Sequence, residues 1–189
     1  MNKNKVITSL MVFTCLVVVS VFAYSTFLGV PASVTSDGIT YNGYVCRQIT
    51  RADGTVEPAE CSHNVLYLSG ANLTRDLLTT NGDGSLLNNI SLCNATAGCT
   101  APVAAASETF NYFTGCGLSS ATDATISNLA SQGANWTVYK TFVVTGCSNQ
   151  LTNSTRLSND ATLFAGNNFT LATLNANDQI TINWTISIT

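Results

Sequence analysis

Six cysteines outside the first 25 residues are the side chains with the clearest chemistry in this 189-residue chain: Cys46, Cys61, Cys93, Cys99, Cys116 and Cys147. An even number of cysteines in an exported chain predicts disulfides, although six cysteines allow fifteen pairings. Cys93 and Cys99 bracket a short loop, and Cys46 and Cys61 flank the turn-forming pair Asp53-Gly54. We therefore predict the pairings 46–61, 93–99 and, by elimination, 116–147.

The sequence carries no recognisable metal-binding or catalytic motif. His63 is the only histidine and the cysteines lack a Cys-x-x-Cys spacing, which argues against zinc. The loop Asn81–Ser85 resembles part of a calcium loop, but Leu92 stands where the last acidic ligand is needed. Serine-nucleophile elbows, metalloprotease helices and phosphate-binding or dinucleotide loops are also absent from the sequence. We expect a protein that is not an enzyme and that holds no cofactor and no metal.

The N-terminus has the pattern of an export signal. Lys3 and Lys5 precede an apolar run from Val6 to Ala23, which predicts that residues 1–25 form a signal peptide or a signal-anchor helix. Either form exports the rest of the chain, with membrane contact only through this segment if it stays uncleaved. We predict an extracellular or cell-surface location.

Seven asparagines begin Asn-x-Ser/Thr acceptor motifs for N-linked glycans: Asn72, Asn89, Asn94, Asn135, Asn153, Asn168 and Asn183. Such motifs require a surface position in an exported chain. Several lie in strand-like runs that would turn the asparagine outward. The sequence therefore predicts N-linked glycans as partners of the domain.

The composition excludes a nucleic-acid-binding protein. Only 9% of the residues are charged, the formal net charge is −3, and Thr (27) and Asn (20) fill the polar positions. This surface lacks the cationic footprint that phosphate backbones require. Thr and Asn are also mediocre helix formers, which favours a chain with few long helices.

Hydrophobic alternation predicts an all-β fold. Gln179–Thr189 alternates strictly, with Ile180 and Trp184 on one face and Asn183 on the other, and Trp136–Thr145 follows the same pattern. Turns are expected at Gly70 among other places. We predict a single antiparallel β-sandwich, immunoglobulin-like or jelly-roll-like, with about seven to nine strands over residues 44–189. Weaker strands are expected at Ile39–Ile49, Val65–Ser69, Ala161–Phe164 and Phe169–Leu174, and short helices at Leu86–Ile90 and Ala124–Ala130.

Lys140 is the only lysine after the export signal, and alternation places it on the apolar face with Trp136 and Phe142. A buried amine is costly unless it is paired. Two interpretations remain open: an isopeptide cross-link to an Asn or Asp side chain, and a lysine whose amine reaches solvent at the sheet edge.

Two C-terminal stretches, Ala161–Thr170 and Leu174–Ile186, resemble the ends of small secreted archaeal surface proteins, and Asn135-Trp136-Thr137 and His63–Leu66 fit the same pattern. The layout of a signal segment, an extended stretch and a glycosylated sandwich is similar to that of archaeal extracellular thread subunits. This resemblance implies donor-strand complementation, in which the N-terminal strand of one subunit fills a groove in its neighbour.

Residues 26–43 form the candidate donor segment, with Val30, Val34 and Ile39 as its apolar side chains. An extended peptide of this kind adds to an exposed sheet edge, and head-to-tail addition makes an open polymer. We predict a structural cell-surface protein, a filament subunit whose partners are copies of itself. The alternatives are a membrane-anchored monomeric binding or adhesion module and a virion structural protein.

Overall fold

The computed structural model of the protein describes residues 41–79, 87–107, 109–120, 123–128, 134–159 and 162–188. The predicted signal or anchor at residues 1–25 lies outside these residues. So do the candidate donor side chains Val30, Val34 and Ile39 and the calcium-like loop Asn81–Ser85.

The first of two packed sheets has five antiparallel strands in the order β2-β1-β9-β6-β5. The strand bounds are β1 Tyr41–Thr50, β2 Glu60–His63, β5 Thr125–Asn128, β6 Ala134–Val143 and β9 Gln179–Ile188. The C-terminal strand β9 lies in the middle, where its alternating sequence pairs with β1 on one side and β6 on the other. Strand β1 includes residues 41–43, which the sequence assigns to the candidate donor segment.

The second sheet has four antiparallel strands in the order β3-β8-β7-β4. Its strands are β3 Val65–Leu66, β4 Asn89–Leu92, β7 Gln150–Ser158 and β8 Leu163–Leu174. The two sheets confirm the all-β sandwich, with nine strands among the described residues. The sequence predicts separate strands at Ala161–Phe164 and Phe169–Leu174. In the structure Leu163–Leu174 forms the single strand β8.

The core lies between the sheets and is centred on β9. Trp184 is fully buried between Val45 of β1 and Val138 of β6, its cross-strand neighbours. Phe164 and Leu157 of the second sheet belong to the same buried cluster. The alternation of β9 thus places one face in the core and leaves Asn183 exposed, as predicted.

Helix α1, Leu68–Thr79, is absent from the predictions, which place a turn at Gly70. Gly70 lies inside the helix because the helix crosses β8 at very close range, where a Cβ would overlap the carbonyl oxygen of Phe164. The helix is further joined to β8 by a hydrogen bond from Ser69 Oγ to the carbonyl of Leu163 (2.6 Å). No helix in the described part of the chain is long and apolar enough to cross a bilayer.

The two short helices expected from the sequence are wrong. Asn89–Leu92 forms β4 and pairs with β7, and Thr125–Asn128 forms β5 and pairs with β6. Backbone pairing along an existing strand outweighs the weak helix preference of such short segments. The sequence patterns also miss β7, because polar side chains occupy both of its faces.

A long connection after β4 covers the outer face of the four-stranded sheet. Two parts of this connection lie side by side and are joined by backbone bridges between Cys93 and Tyr112 and between Cys99 and Phe110. Leu118 from the same connection is buried in the main core. The connection is therefore packed onto the sandwich rather than extended away from it.

Candidate functional site

Three disulfides join the six cysteines, in the pairings favoured by the sequence. Cys46 and Cys61 face each other across β1 and β2. Cys93–Cys99 closes the loop after β4, and Cys116–Cys147 ties the covering connection to the turn that precedes β7. Disulfides form and persist in oxidising compartments, so the chain belongs in a secreted or extracellular setting.

The seven glycan acceptors do not lie together, and their exposure differs. Asn72 on α1, Asn168 on β8 and Asn183 on β9 are exposed. The other four acceptors are only partly exposed: Asn89, Asn94, Asn135 and Asn153. Accessible amides therefore occur on the helix and on both sheets.

The outer face of the five-stranded sheet carries no charged side chain along its three longest strands, and its polar groups are interrupted by the exposed Tyr44, Tyr139 and Val143. Thr141 of β6 and Thr181 of β9 face each other there, with their hydroxyl oxygens 2.8 Å apart. Asn183 lies at the centre of this face, and Asn135 lies near its end. The face carries hydrogen-bonding groups without the charges that would select an ionic partner.

Lys140 lies on β6, one residue beyond the stretch that pairs with β5, and is held by an ion pair. Its Nζ lies 2.8 Å from both carboxylate oxygens of Asp123, which is largely exposed. The hydrogen bond from Lys140 and its positive charge lower the pKa of Asp123. Amide formation requires a protonated acid, and the lowered pKa of Asp123 favours its ionised form instead. The geometry therefore supports a lysine whose amine reaches the surface and pairs with Asp123, rather than a cross-link to it.

Arg51 links two turns at one end of the sandwich. It donates to Asp178 Oδ2 (2.8 Å) and to the carbonyl of Thr173 (2.7 Å), and it forms a short ion pair with Glu57. Asp178 also accepts backbone hydrogen bonds from Ala52 and Asn175 (both 2.9 Å). Burial raises the pKa of Asp178, but these hydrogen bonds and the charge of Arg51 outweigh it, so the pKa lies below its ordinary value.

Arg47 of β1 lies nearby and packs between the two sheets. It donates to Glu60 at 2.7 Å, and its guanidinium carbon lies 5.6 Å from the centroid of the Phe169 ring. Glu60 in turn accepts from the backbone N–H of Thr170 on β8 (2.8 Å). Burial raises the pKa of Glu60, and the hydrogen bonds from Arg47 and Thr170 bring it below the ordinary value. These ion pairs act in packing and show no arrangement for proton transfer.

A polar cleft of about 360 Å³ opens on the four-stranded sheet. Its floor is formed by strand residues of β4 and β7, one wall by Tyr112 and Ser120 of the covering connection, and the other by Asn159, Thr162 and Leu163. The described residues that line it are Asn89, Ser91, Tyr112, Ser120, Ser158, Asn159, Thr162 and Leu163, and none of them is charged.

The cleft is held in shape from below and from the side. The buried Arg156, only 6% exposed, donates to the hydroxyl of Tyr112 (3.3 Å) and lies 4.1 Å from the centroid of the Phe110 ring. Ser91 Oγ lies 2.9 Å from Ser120 Oγ. The sequence patterns predict neither the role of Arg156 nor the cleft, because the covering connection brings together side chains that lie far apart in the sequence. A lone arginine in a strand of Thr and Ser is the only sequence signal.

The described residues contain no group of three or more His, Cys, Asp or Glu side chains placed to hold a metal ion. Comparison of the chain with protein-family models finds no matching family. Comparisons with curated proteins and with solved structures find no match either.

Proposed function

We propose that the protein is a non-enzymatic structural component of the cell surface, a subunit of an extracellular filament. In this proposal the segment around Val30–Ile39 of one copy pairs with a sheet edge of the next copy. The partners are copies of the same chain, and N-linked glycans coat the polymer. The disulfide-stapled sandwich and its low charge suit a polymer exposed to an oxidising medium.

The position of β1 is the observation that carries the proposal. β1 is paired along its whole length with β9 and through Tyr44–Arg47 with β2, so over these four residues it offers no free side to an added strand. The segment before β1 therefore needs a terminal strand to pair with, and in this proposal the neighbouring copy supplies it.

The edge that fits an added strand best is β5. Each sheet has two terminal strands, and among the described residues β5 is the one of these four whose side chains are most exposed. Residue 64 connects β2 directly to β3, so one continuous segment contributes a strand to each sheet. Residues 109–112 lie beside the chain that follows β4. Among the described residues β5 has a strand partner on one side only, and Thr125 and Ser127 are exposed. Addition at β5 would extend the five-stranded sheet from one copy to the next.

The test compares donor variants of the mature exported protein. Val30→Asp/Val34→Asp places charges at the apolar positions of the segment and should abolish polymers seen by electron microscopy and size-exclusion chromatography. Ser33→Asp/Thr35→Asp adds the same charges at polar positions on the opposite face of the same segment and serves as the matched control. Polymers that persist in the valine variant, or wild-type protein that stays monomeric, would contradict the proposal.

N-terminal sequencing of protein from its native membrane or medium distinguishes the anchored binding module. A mature start near Ser25–Val34 leaves the donor segment free to pair with another copy. Retention of Lys3–Ala23 would favour a membrane-anchored monomer and count against the filament.

A further inference from the structure

We propose that the polar cleft on the four-stranded sheet is a binding site for a neutral saccharide. This assignment goes beyond the filament role and does not depend on it. It rests on the chemistry of the lining, on the exposed ring of Tyr112, and on how firmly that ring is held.

The hydrogen-bonding groups of the cleft match a sugar. A saccharide hydroxyl both donates and accepts, and so do the Ser, Thr and Tyr hydroxyls and the Asn amides of the lining. No described lining residue is charged, so the described part of the lining offers no ionic partner to a phosphate, a carboxylate or an amine. The volume of about 360 Å³ falls within the range of small-molecule sites, about 300–1,000 Å³.

Tyr112 supplies the apolar surface that a sugar ring also needs. Its side chain belongs to a residue that is 44% exposed, and its ring packs edge-on against Phe110 at a centroid distance of 5.0 Å. The hydrogen bond from Arg156 to the hydroxyl holds the ring in place. Leu163 contributes further apolar surface at the cleft. A fixed aromatic ring beside hydrogen-bonding groups binds the C–H face of a sugar with little loss of side-chain entropy.

The saccharide has two sources, because Asn89 both lines the cleft and begins an acceptor motif. One source is a free or partner-borne glycan that enters from solution. The other is a glycan linked to Asn89 of the same chain, which would emerge at the cleft. Both present the same chemistry, and unglycosylated and glycosylated protein distinguish them.

The first experiment titrates unglycosylated, disulfide-bonded protein with the methyl glycosides of glucose, galactose, mannose and N-acetylglucosamine. We expect at least one sugar to shift the ring resonances of Tyr112 and to show nuclear Overhauser contacts with that ring. Tyr112→Ala should weaken binding about tenfold, the loss expected for one aromatic contact. Tyr139→Ala removes a tyrosine of similar exposure, 41%, from the opposite sheet and should leave binding unchanged. Ser120→Ala, at an exposed wall position, should weaken binding without disturbing the core.

The second experiment uses protein glycosylated at Asn89. If the cleft holds its own glycan, Tyr112 contacts sugar protons before any sugar is added, and added glycosides cause no further shift. If the cleft serves an external saccharide, the glycosides shift Tyr112 in this sample too. The proposal is overturned if Tyr112 contacts no sugar in either sample, or if Tyr112→Ala and Tyr139→Ala bind alike.

Discussion

Arg51 donates a hydrogen bond of 2.8 Å to Asp178 and so joins the turn after β1 to the turn before β9. Asp178 is almost fully buried and accepts two backbone hydrogen bonds in addition. The two residues therefore fix the end of the sandwich at which the ends of β1 and β8 and the start of β9 meet.

Replacing Asp178 should show how much its charge contributes to the free energy of unfolding. Asp178→Asn removes the charge to which Arg51 donates, and we expect a loss of about 2 kcal/mol in the free energy of unfolding by urea at pH 7. Asp123→Asn breaks an exposed ion pair instead and should leave the urea midpoint nearly unchanged. Equal midpoints for the two variants would show that the Arg51–Asp178 contact adds nothing to stability.

The same network predicts how stability depends on pH. The folded-state pKa values of Asp178 and Glu60 lie below the ordinary values of 3.8 and 4.5. Their contribution is therefore complete above these ordinary values and is lost as the pH falls through the lowered folded-state values. Urea unfolding of the wild type should show falling stability from about pH 5 downward, with a shallower fall in Asp178→Asn. The same slope in both proteins would exclude Asp178 as a source of the acid sensitivity.

The three disulfides should stabilise the fold in the order of the loops they close. The paired cysteines are 31, 15 and 6 residues apart for Cys116–Cys147, Cys46–Cys61 and Cys93–Cys99. Chain entropy predicts losses of about 3.5, about 3 and about 2 kcal/mol on replacing each pair by serine. Urea unfolding of the three double-serine variants measures the order, and a largest loss for Cys93–Cys99 would contradict a chain-entropy origin.

The sequence predicts the parts of this fold that depend on local pattern. The alternation of β9 places Trp184 in the core and Asn183 outside, because a strand buried on one face leaves a period of two in its sequence. Short spacing and turn chemistry likewise favour Cys46–Cys61. Helix α1 and the polar cleft cannot be predicted from local sequence pattern, because they depend on contacts between segments that are distant in the sequence. In the sequence Gly70 is typical of a turn, and only the structure shows that the carbonyl of Phe164 lies against it. The hydrogen bond from Arg156 to Tyr112 is likewise visible only in the structure.

Gly70 offers a direct test of that long-range contact. Gly70→Ala should destabilise the fold by about 1–3 kcal/mol, because the new methyl group meets the backbone of Phe164 rather than a side chain that can move. Gly115→Ala is the matched control, since a Cβ at Gly115 meets nothing within 4 Å. Thermal unfolding followed by circular dichroism compares the two variants. A gain in stability for Gly70→Ala would mean that helix propensity, which favours alanine, outweighs the close approach of α1 to β8.

Glycan occupancy should follow the exposure of each acceptor amide in protein that is glycosylated after folding. Asn72, Asn168 and Asn183 are exposed, so we expect glycans at all three. Asn153 lies in β7 beside a register shift, and its Oδ1 is fully buried, so a transferase cannot surround this amide. Glycopeptide mass spectrometry gives the occupancy of each site, and Asn183→Gln, at an exposed position, removes one glycan without disturbing the core. Full occupancy of Asn153 would instead show that glycans are added before the sandwich forms, since the folded chain buries part of this amide.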